Sequence, residues 1–442
     1  MNLALKFTAP FLLLFFVWTG SPAQQLDPLS PKTGATAPES SLAASSEATF
    51  VTIPHSLPEI PREFRGVWIA TVANIDWPLS STDPWEKQKK DYLALLDYYK
   101  GLHFNAVIVQ IRTAGDAFYP TDLAPWSKYL TGQQGTAPKA QEDPLTWMID
   151  AAHQRGLEFH AWLNPYRAAA NASQQRSPMH VSKRFPQFTY QIGSVLWMDP
   201  GAPAVRNHIN AVVRDLVTRY DLSGVHLDDY FYPYPIANQV LRDQDTYEKY
   251  HLPEETLADW RRRNVNELIQ DISLTIKQNK PKVKFGISPF GIWRHQSIAN
   301  PDGSPTRKGL QSYDDLFADT EKWMREGWVD YLAPQLYWGT AHKVAPFEPQ
   351  AKWWSAHNYG RPIYIGHAAY HLSDQWAPAE LEKQLGISRG LSNVQGSIYF
   401  SSNLLMRNVK GFRDSLRSTH FSNIALVPPM LWKDSIAPTA PH

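Results

Sequence analysis

Cysteine is absent from the 442 residues. That excludes disulfides, thiolate metal sites, a cysteine nucleophile and a lipid-modified N-terminal cysteine. Charge of one sign is not in excess either: 43 Lys and Arg stand against 42 Asp and Glu, a net charge of +1. Nothing here resembles the basic footprint of a nucleic-acid binder, and no such partner is expected. Beyond the N-terminus no apolar run reaches the roughly 20 residues that a membrane-spanning helix needs, so the mature chain is expected to have no stable span. There is no internal repeat.

Aromatic rings, in contrast, are plentiful, with 17 Trp and 20 Tyr. Many will be core, but the excess fits a protein that handles the flat faces of sugar rings. At the N-terminus Lys6 precedes an apolar run over 7–18, and Ser21 and Ala23 suit cleavage before Gln24. This is the pattern of a signal peptide over 1–23, with an uncleaved anchor as the alternative. Residues 24–60 are rich in Pro, Ser and Ala and form a disordered linker in this reading. The expected location is secreted or periplasmic.

From residue 64 short apolar runs alternate with amphipathic stretches. Strands are predicted at 64–72, 106–112, 158–166, 224–232, 284–291, 331–338, 362–370 and 396–402. Helices fall between them at 85–100, 144–155, 203–219, 257–279, 312–326, 347–357 and 377–386, with a last one near 403–417. Eight strand–helix pairs are the count of a (β/α)₈ TIM barrel. Connections from helix to strand are brief, whereas those at 167–202, 233–256 and 292–311, from strand to helix, are long. That asymmetry puts the functional face at the strand C-terminal ends. The barrel domain is assigned to 61–420 and an irregular tail to 421–442, with Trp432 a candidate to dock back.

Alternate strand residues face the barrel axis, and the more uniformly aliphatic parity packs under the helices. This leaves Gln110, Arg112, His160, Asn164, His226, Asp228, Gln335 and Tyr337 on the axis, with Ser397, Tyr399 and Ser401 from the eighth strand. So many polar groups fit a hydroxyl-rich ligand better than an ordinary barrel interior; the bland alternative is a satisfied polar plug. The segment GVHLDDYFYP, 224–233, ends a strand on two carboxylates beside a run of rings. Parity turns Asp228 to the axis, and Asp229 away from it unless the chain turns there. Glycosidic hydrolysis generally uses two carboxyl groups flanking the bond. Candidate partners for Asp228 are Asp229, Asp76 in NIDWP, Asp116 in RTAGDAFYP and Asp199 in WMDPGAP; each could instead brace a turn or cap a helix. Tyr230, Tyr232, Trp77 and Trp338 are candidate stacking platforms. Arg112, Arg167 and Arg294, just past strand ends, could pair with the carboxylate of an acidic sugar or simply brace loops.

The segments FRGVWIATVANIDWP, VQIRTAGDAFYP, FHAWLNPYR, WMDPGAPAVR, GVHLDDYFYP, FGISPFGIWR and YLAPQLYW resemble, in order, the glycosyl-hydrolase-like 10 family. The likeness runs from about Phe64 to Leu416 and is strongest to exported bacterial members that cleave denuded peptidoglycan glycan strands. Such relatives are often lipoproteins, and this chain lacks the lipobox cysteine. The resemblance implies a TIM-barrel glycosidase with a polysaccharide substrate and no cofactor. It lends weight to Asp228, since more distant relatives keep an acid there and replace the second with tyrosine. Two other function classes remain open. One is a degenerate barrel that binds glycan without cleaving it, which would suit the lack of a glutamate at any strand end. The other is a metal-dependent hydrolase using His160, His226, Asp228 and His367, although the first strand carries no His-x-His.

Overall fold

In the computed structural model residues 59–434 are described; the proposed signal peptide, nearly all of the linker and the last eight residues lie outside them. Eleven strands occur among these residues: β1 Phe64–Ile69, β2 Ala106–Arg112, β3 Glu158–Leu163, β4 Arg167–Ala169, β5 Thr189–Ile192, β6 Val195–Met198, β7 Gly224–Leu227, β8 Lys284–Ile287, β9 Tyr331–Leu332, β10 Ile363–Ala368 and β11 Val394–Phe400. Eight of them close a parallel barrel in the order β1-β11-β10-β9-β8-β7-β3-β2. The fold is therefore the (β/α)₈ barrel expected from the alternation, with every barrel strand inside or overlapping its predicted run. Helices Trp85–Gly101, Pro144–His153, Pro203–Arg219, Leu257–Asn279, Phe347–Ala356 and Pro378–Arg389 follow the predicted periodicity closely. Among the described residues no helix is long and apolar enough to cross a membrane.

Two apolar layers hold the barrel. The larger lies between strands and helices and takes Val107, Val109 and Ile111 from β2, and Val225 and Leu227 from β7. The smaller fills the interior with Phe64, Trp68, Ile108, Trp162, Tyr331, Tyr364 and Ile398. Large rings fit there because glycines face them. A Cβ on Gly286 would lie 1.9 Å from the Tyr331 ring, and one on Gly224 would lie 2.5 Å from His160.

Strand parity failed in two places. On β11 it is Ile398 that joins the interior, while Tyr399 packs outward. Ser397 also points outward, to His367 at 3.0 Å. On β2 the register shifts between Gln110 and Arg112, and Arg112 pairs with Leu163 of the outer layer. The irregularity takes Arg112 off the predicted axis-facing parity, toward Asp116, Tyr119 and His208.

A three-stranded antiparallel sheet, β4-β6-β5, lies in the long connection 167–202 and was not predicted. At the opposite end the tail closes the barrel base. Met430 enters the interior cluster, and Trp432 and Lys433 both bind Asp330 just before β9.

Candidate active site

The interior below the mouth holds one continuous hydrogen-bonded column. Lys284 Nζ meets Glu158 Oε1 at 2.5 Å, and His160 Nε2 meets Glu158 Oε2 at 3.0 Å. His160 Nδ1 lies 2.8 Å from the Tyr331 hydroxyl, and that hydroxyl lies 3.0 Å from His226 Nδ1. His226 Nε2 faces Trp68 Nε1 at 3.3 Å and Ser288 Oγ at 3.0 Å. An indole N–H only donates, which fixes the sequence of donors. Trp68 donates to His226 Nε2, His226 Nδ1–H to Tyr331, Tyr331 O–H to His160 Nδ1, and His160 Nε2–H to Glu158. Every ring nitrogen is thus used with both histidines neutral. Burial lowers the pKa of each, His226 the further. Burial alone would raise Glu158, but His160 and Lys284 outweigh it and hold the carboxyl at about 2.

His160 and His226 are accordingly a satisfied column beneath the site. His367, the third candidate metal ligand, sits on the outer side between Gln384 and Ser397. The structure does not bring the three histidines together. Replacing Tyr331 by Phe removes the acceptor of one histidine and the donor of the other. We expect a loss of about 1–3 kcal/mol of stability, read by denaturant unfolding.

Above the column β7 ends and the chain turns at once, Phe231 N–H donating to the Asp229 carbonyl at 2.9 Å. This turn sets the two carboxyl groups against each other. Asp229 N–H donates to Asp228 Oδ1 at 2.9 Å, and the two carboxyls are close enough to act on each other. Gln335 Nε2 donates to Asp228 Oδ1 at 3.3 Å and to the Ser288 carbonyl at 2.9 Å. Tyr234 donates its hydroxyl proton to Asp229 Oδ2 at 2.5 Å. Asp228 is 8% exposed and Asp229 only 2%, so Asp228 is the more open to a ligand.

Burial raises the pKa of Asp228, an effect that its hydrogen bonds and the Arg167 guanidinium oppose. Burial raises Asp229 much further, and the adjacent Asp228 charge adds to it. Two carboxyls in contact cannot both ionise cheaply. Burial and mutual repulsion therefore favour a single proton shared by the pair, with Asp229, raised the further, the better place for it.

The unpredicted sheet builds one wall of this site. β4 carries Arg167, whose guanidinium lies 4.4 Å from the centre of the Tyr230 ring, and β6 brings Trp197 to the same ring. Tyr230 stacks on Tyr234, Tyr234 meets Phe290 edge-on, and Phe290 meets Trp338. Tyr337 lies close enough to feel both carboxylates and packs against Tyr370 and Phe400. Tyr230, Tyr234, Phe290, Tyr337, Trp338, Tyr370 and Phe400 are all partly exposed. They form an aromatic rim around two acids.

Asp228, Asp229, Arg167, Tyr230, Gln335, Tyr337 and Trp338 are thus brought together. Tyr234, Phe290, Tyr370 and Phe400 were missed; the alternation within YFYPYP was a signal for Tyr234 alone. Two nominated platforms are corrected. Tyr232 is fully buried against Phe317, and Trp77 is buried with Trp85, Tyr92 and Phe118.

The other nominated groups have different surroundings. Gln110 Oε1 accepts from Thr71 and Val72 N–H and ties β2 to the end of β1. Asn164 donates to the Thr113 carbonyl, as Arg167 does. Asp116 accepts from Thr113 and Ala114, bracing its own loop. Asp199 accepts from Gly201 N–H and Thr246 Oγ1, and burial pushes it up to about 6. Arg294 pairs with Asp314 and stacks on Tyr313.

Asp76 accepts from Ala70 N–H at 2.7 Å, Ser401 Oγ at 2.8 Å and Asn403 N–H at 2.7 Å. It stitches β1 to the exit of β11, across the barrel order from β7. Burial raises it to about 6 despite these donors. Asp76→Ala strands three buried donors, and a loss of about 2–5 kcal/mol is expected in thermal or denaturant unfolding.

Residues 63–383 match the family model described as "Glycosyl hydrolase-like 10". The chain is 45% identical over 390 residues to glycosyl hydrolase YngK of Bacillus subtilis, covering 86% of this chain and 76% of that protein. It is 36% identical over 385 residues to glycosyl hydrolase DigH of Escherichia coli K12, covering 80% and 86%. Among solved structures the PgaB (BpsB) glycoside hydrolase domain of Bordetella bronchiseptica superposes with a TM-score of 0.51 at 13% identity, covering 80% of this chain and 98% of that one. The catalytic domain of β-amylase from Paenibacillus polymyxa also gives 0.51, at 12% identity, covering 82% and 99%. At such identities these two likenesses concern the fold alone.

Proposed function

Because the chain belongs to the glycosyl hydrolase-like 10 family, we propose that it is a glycoside hydrolase of an amino-sugar polysaccharide, with peptide-free peptidoglycan glycan strands as substrate. The observation that carries this reading is the Asp228–Asp229 pair, holding one proton at the strand C-terminal mouth inside an aromatic rim. An acid whose pKa is raised by burial can protonate a glycosidic oxygen near neutral pH.

In this assignment Asp228 meets the scissile region and Asp229 stores the proton. Gln335 fixes the Asp228 carboxylate, and Arg167 offsets its charge. Tyr230, Tyr337 and Trp338 offer ring faces to the sugars, together with Tyr234 and Phe290. Arg167 is the cation placed to meet a lactyl carboxylate, whereas Arg294 is already paired. An export signal at 1–23 would deliver the enzyme to the compartment that holds this polymer.

The test incubates the purified protein with glycan strands stripped of peptides. New reducing ends are expected to accumulate with time. Retention of the strands without new ends would instead make the barrel a glycan-binding module.

A further inference from the structure

We infer that the nucleophile at the anomeric carbon is the substrate's own 2-acetamido oxygen, not a second carboxylate of the protein. This rests on the function proposed above and adds to it a required substrate group. Two-carboxyl mechanisms place their acids on opposite sides of the scissile bond, about 5–5.5 Å apart for retention and about 6.5–9.5 Å for inversion. Asp228 and Asp229 are consecutive residues held together, Asp229 N–H donating to Asp228 Oδ1 at 2.9 Å with the two carboxyls close enough to act on each other. They lie together on one side of any bond presented to Asp228, so they cannot flank it.

No other nominated aspartate is free to supply the opposite side. Asp76 is bound by three donors at the β1–β11 seam, Asp116 is bound within its own loop, and Asp199 is held by Gly201 N–H and by the Thr246 hydroxyl from the helix Gln244–Tyr250. The rim around the pair presents phenol, phenyl and indole rings instead. One proton and one charge in contact are what a neighbouring-group reaction asks of the protein. The proton goes to the leaving oxygen, and the charge faces the cation that forms from the acetamido group.

The step balances without any co-reactant. The acetamido carbonyl oxygen bonds to C1 as the bond from C1 to the leaving sugar breaks, and the leaving oxygen takes the proton held by the pair. Water then adds to C1 from the vacated side and returns one proton to the pair. The bond from C1 to the acetamido oxygen breaks, giving a reducing sugar of retained configuration.

The full-length protein is tested on peptide-free glycan oligomers in two forms, N-acetylated and N-trifluoroacetylated, with the first-formed anomer read by NMR. A thiazoline analogue of the cyclised sugar is added as inhibitor. Because fluorination weakens the intramolecular nucleophile, we expect at least about a 100-fold fall in kcat, with competitive inhibition and retention. Asp374→Asn, which removes an exposed acid on the loop after β10, is expected to leave kcat unchanged. Cleavage with inversion, or an unchanged rate on the fluorinated oligomer, would overturn the inference while leaving a glycosidase in place. Failure to cleave even the N-acetylated oligomer would overturn the functional reading as well.

Discussion

Replacing Asp228 by Asn is expected to lower kcat by about 10²–10⁴-fold, the usual contribution of a positioned acid or base, while the protein stays folded. The substitution keeps the shape of the side chain and its acceptor for Gln335. It removes the charge that keeps the proton of Asp229 in place and within reach of the substrate. Stability should change little or rise, because burial already opposes ionisation of Asp228. The checks are the rate of reducing-end release and the thermal unfolding midpoint, measured on the same preparation. A variant as active as the wild type would remove Asp228 from the mechanism. A variant that is inactive because it is unfolded would be exposed by the melting curve.

The second large effect concerns pH. The active form has one proton on the pair, so activity falls at low pH as Asp228 takes up a proton and at high pH as Asp229 loses its own. The Tyr234 hydroxyl donates to Asp229 and favours its ionised form, thereby lowering its pKa. Tyr234→Phe removes that donor, so the pKa of Asp229 rises and the alkaline limb of kcat/KM moves to higher pH. A hydrogen bond to a charged group contributes about 1.5–3 kcal/mol, which corresponds to a shift of roughly 1–2 pH units. The limb should keep its shape while the acid limb stays nearly fixed. An alkaline limb that moved down, or did not move, would mean that Asp229 is not the group that holds the proton.

Much of the barrel was legible because its signals are local. Apolar runs such as AVIVQIR and EFHAWL, separated by amphipathic stretches, reveal strands and helices one at a time, and their count gives the closed sheet. Long connections at one end located the mouth. Facing was harder to read. In SIYFSS both faces of β11 carry ring or aliphatic groups, so polarity could not tell them apart, and Ser397 is recruited outward by His367. Arg112 follows a register shift in β2 that no periodicity shows. Depth was also hidden. His160 and His226 do face the axis, but the stagger of the strands sets them below the mouth, with Tyr331 between them. The β4-β6-β5 sheet escaped because its strands are only three or four residues long, within a polar connection. The contact between Asp228 and Asp229 depends on a turn that the aromatic run permits but does not dictate.

Vibrational spectroscopy tests most directly whether the pair carries one proton through neutral pH. Infrared difference spectra between the wild type and Asp229→Asn, taken above pH 7, should contain the carbonyl band of a protonated carboxylic acid in the wild type alone. Asp76 and Asp199, each raised to about 6, are largely ionised there and cancel in the difference. A spectrum showing only the loss of an ionised carboxylate would contradict the shared proton and the acid chemistry built on it.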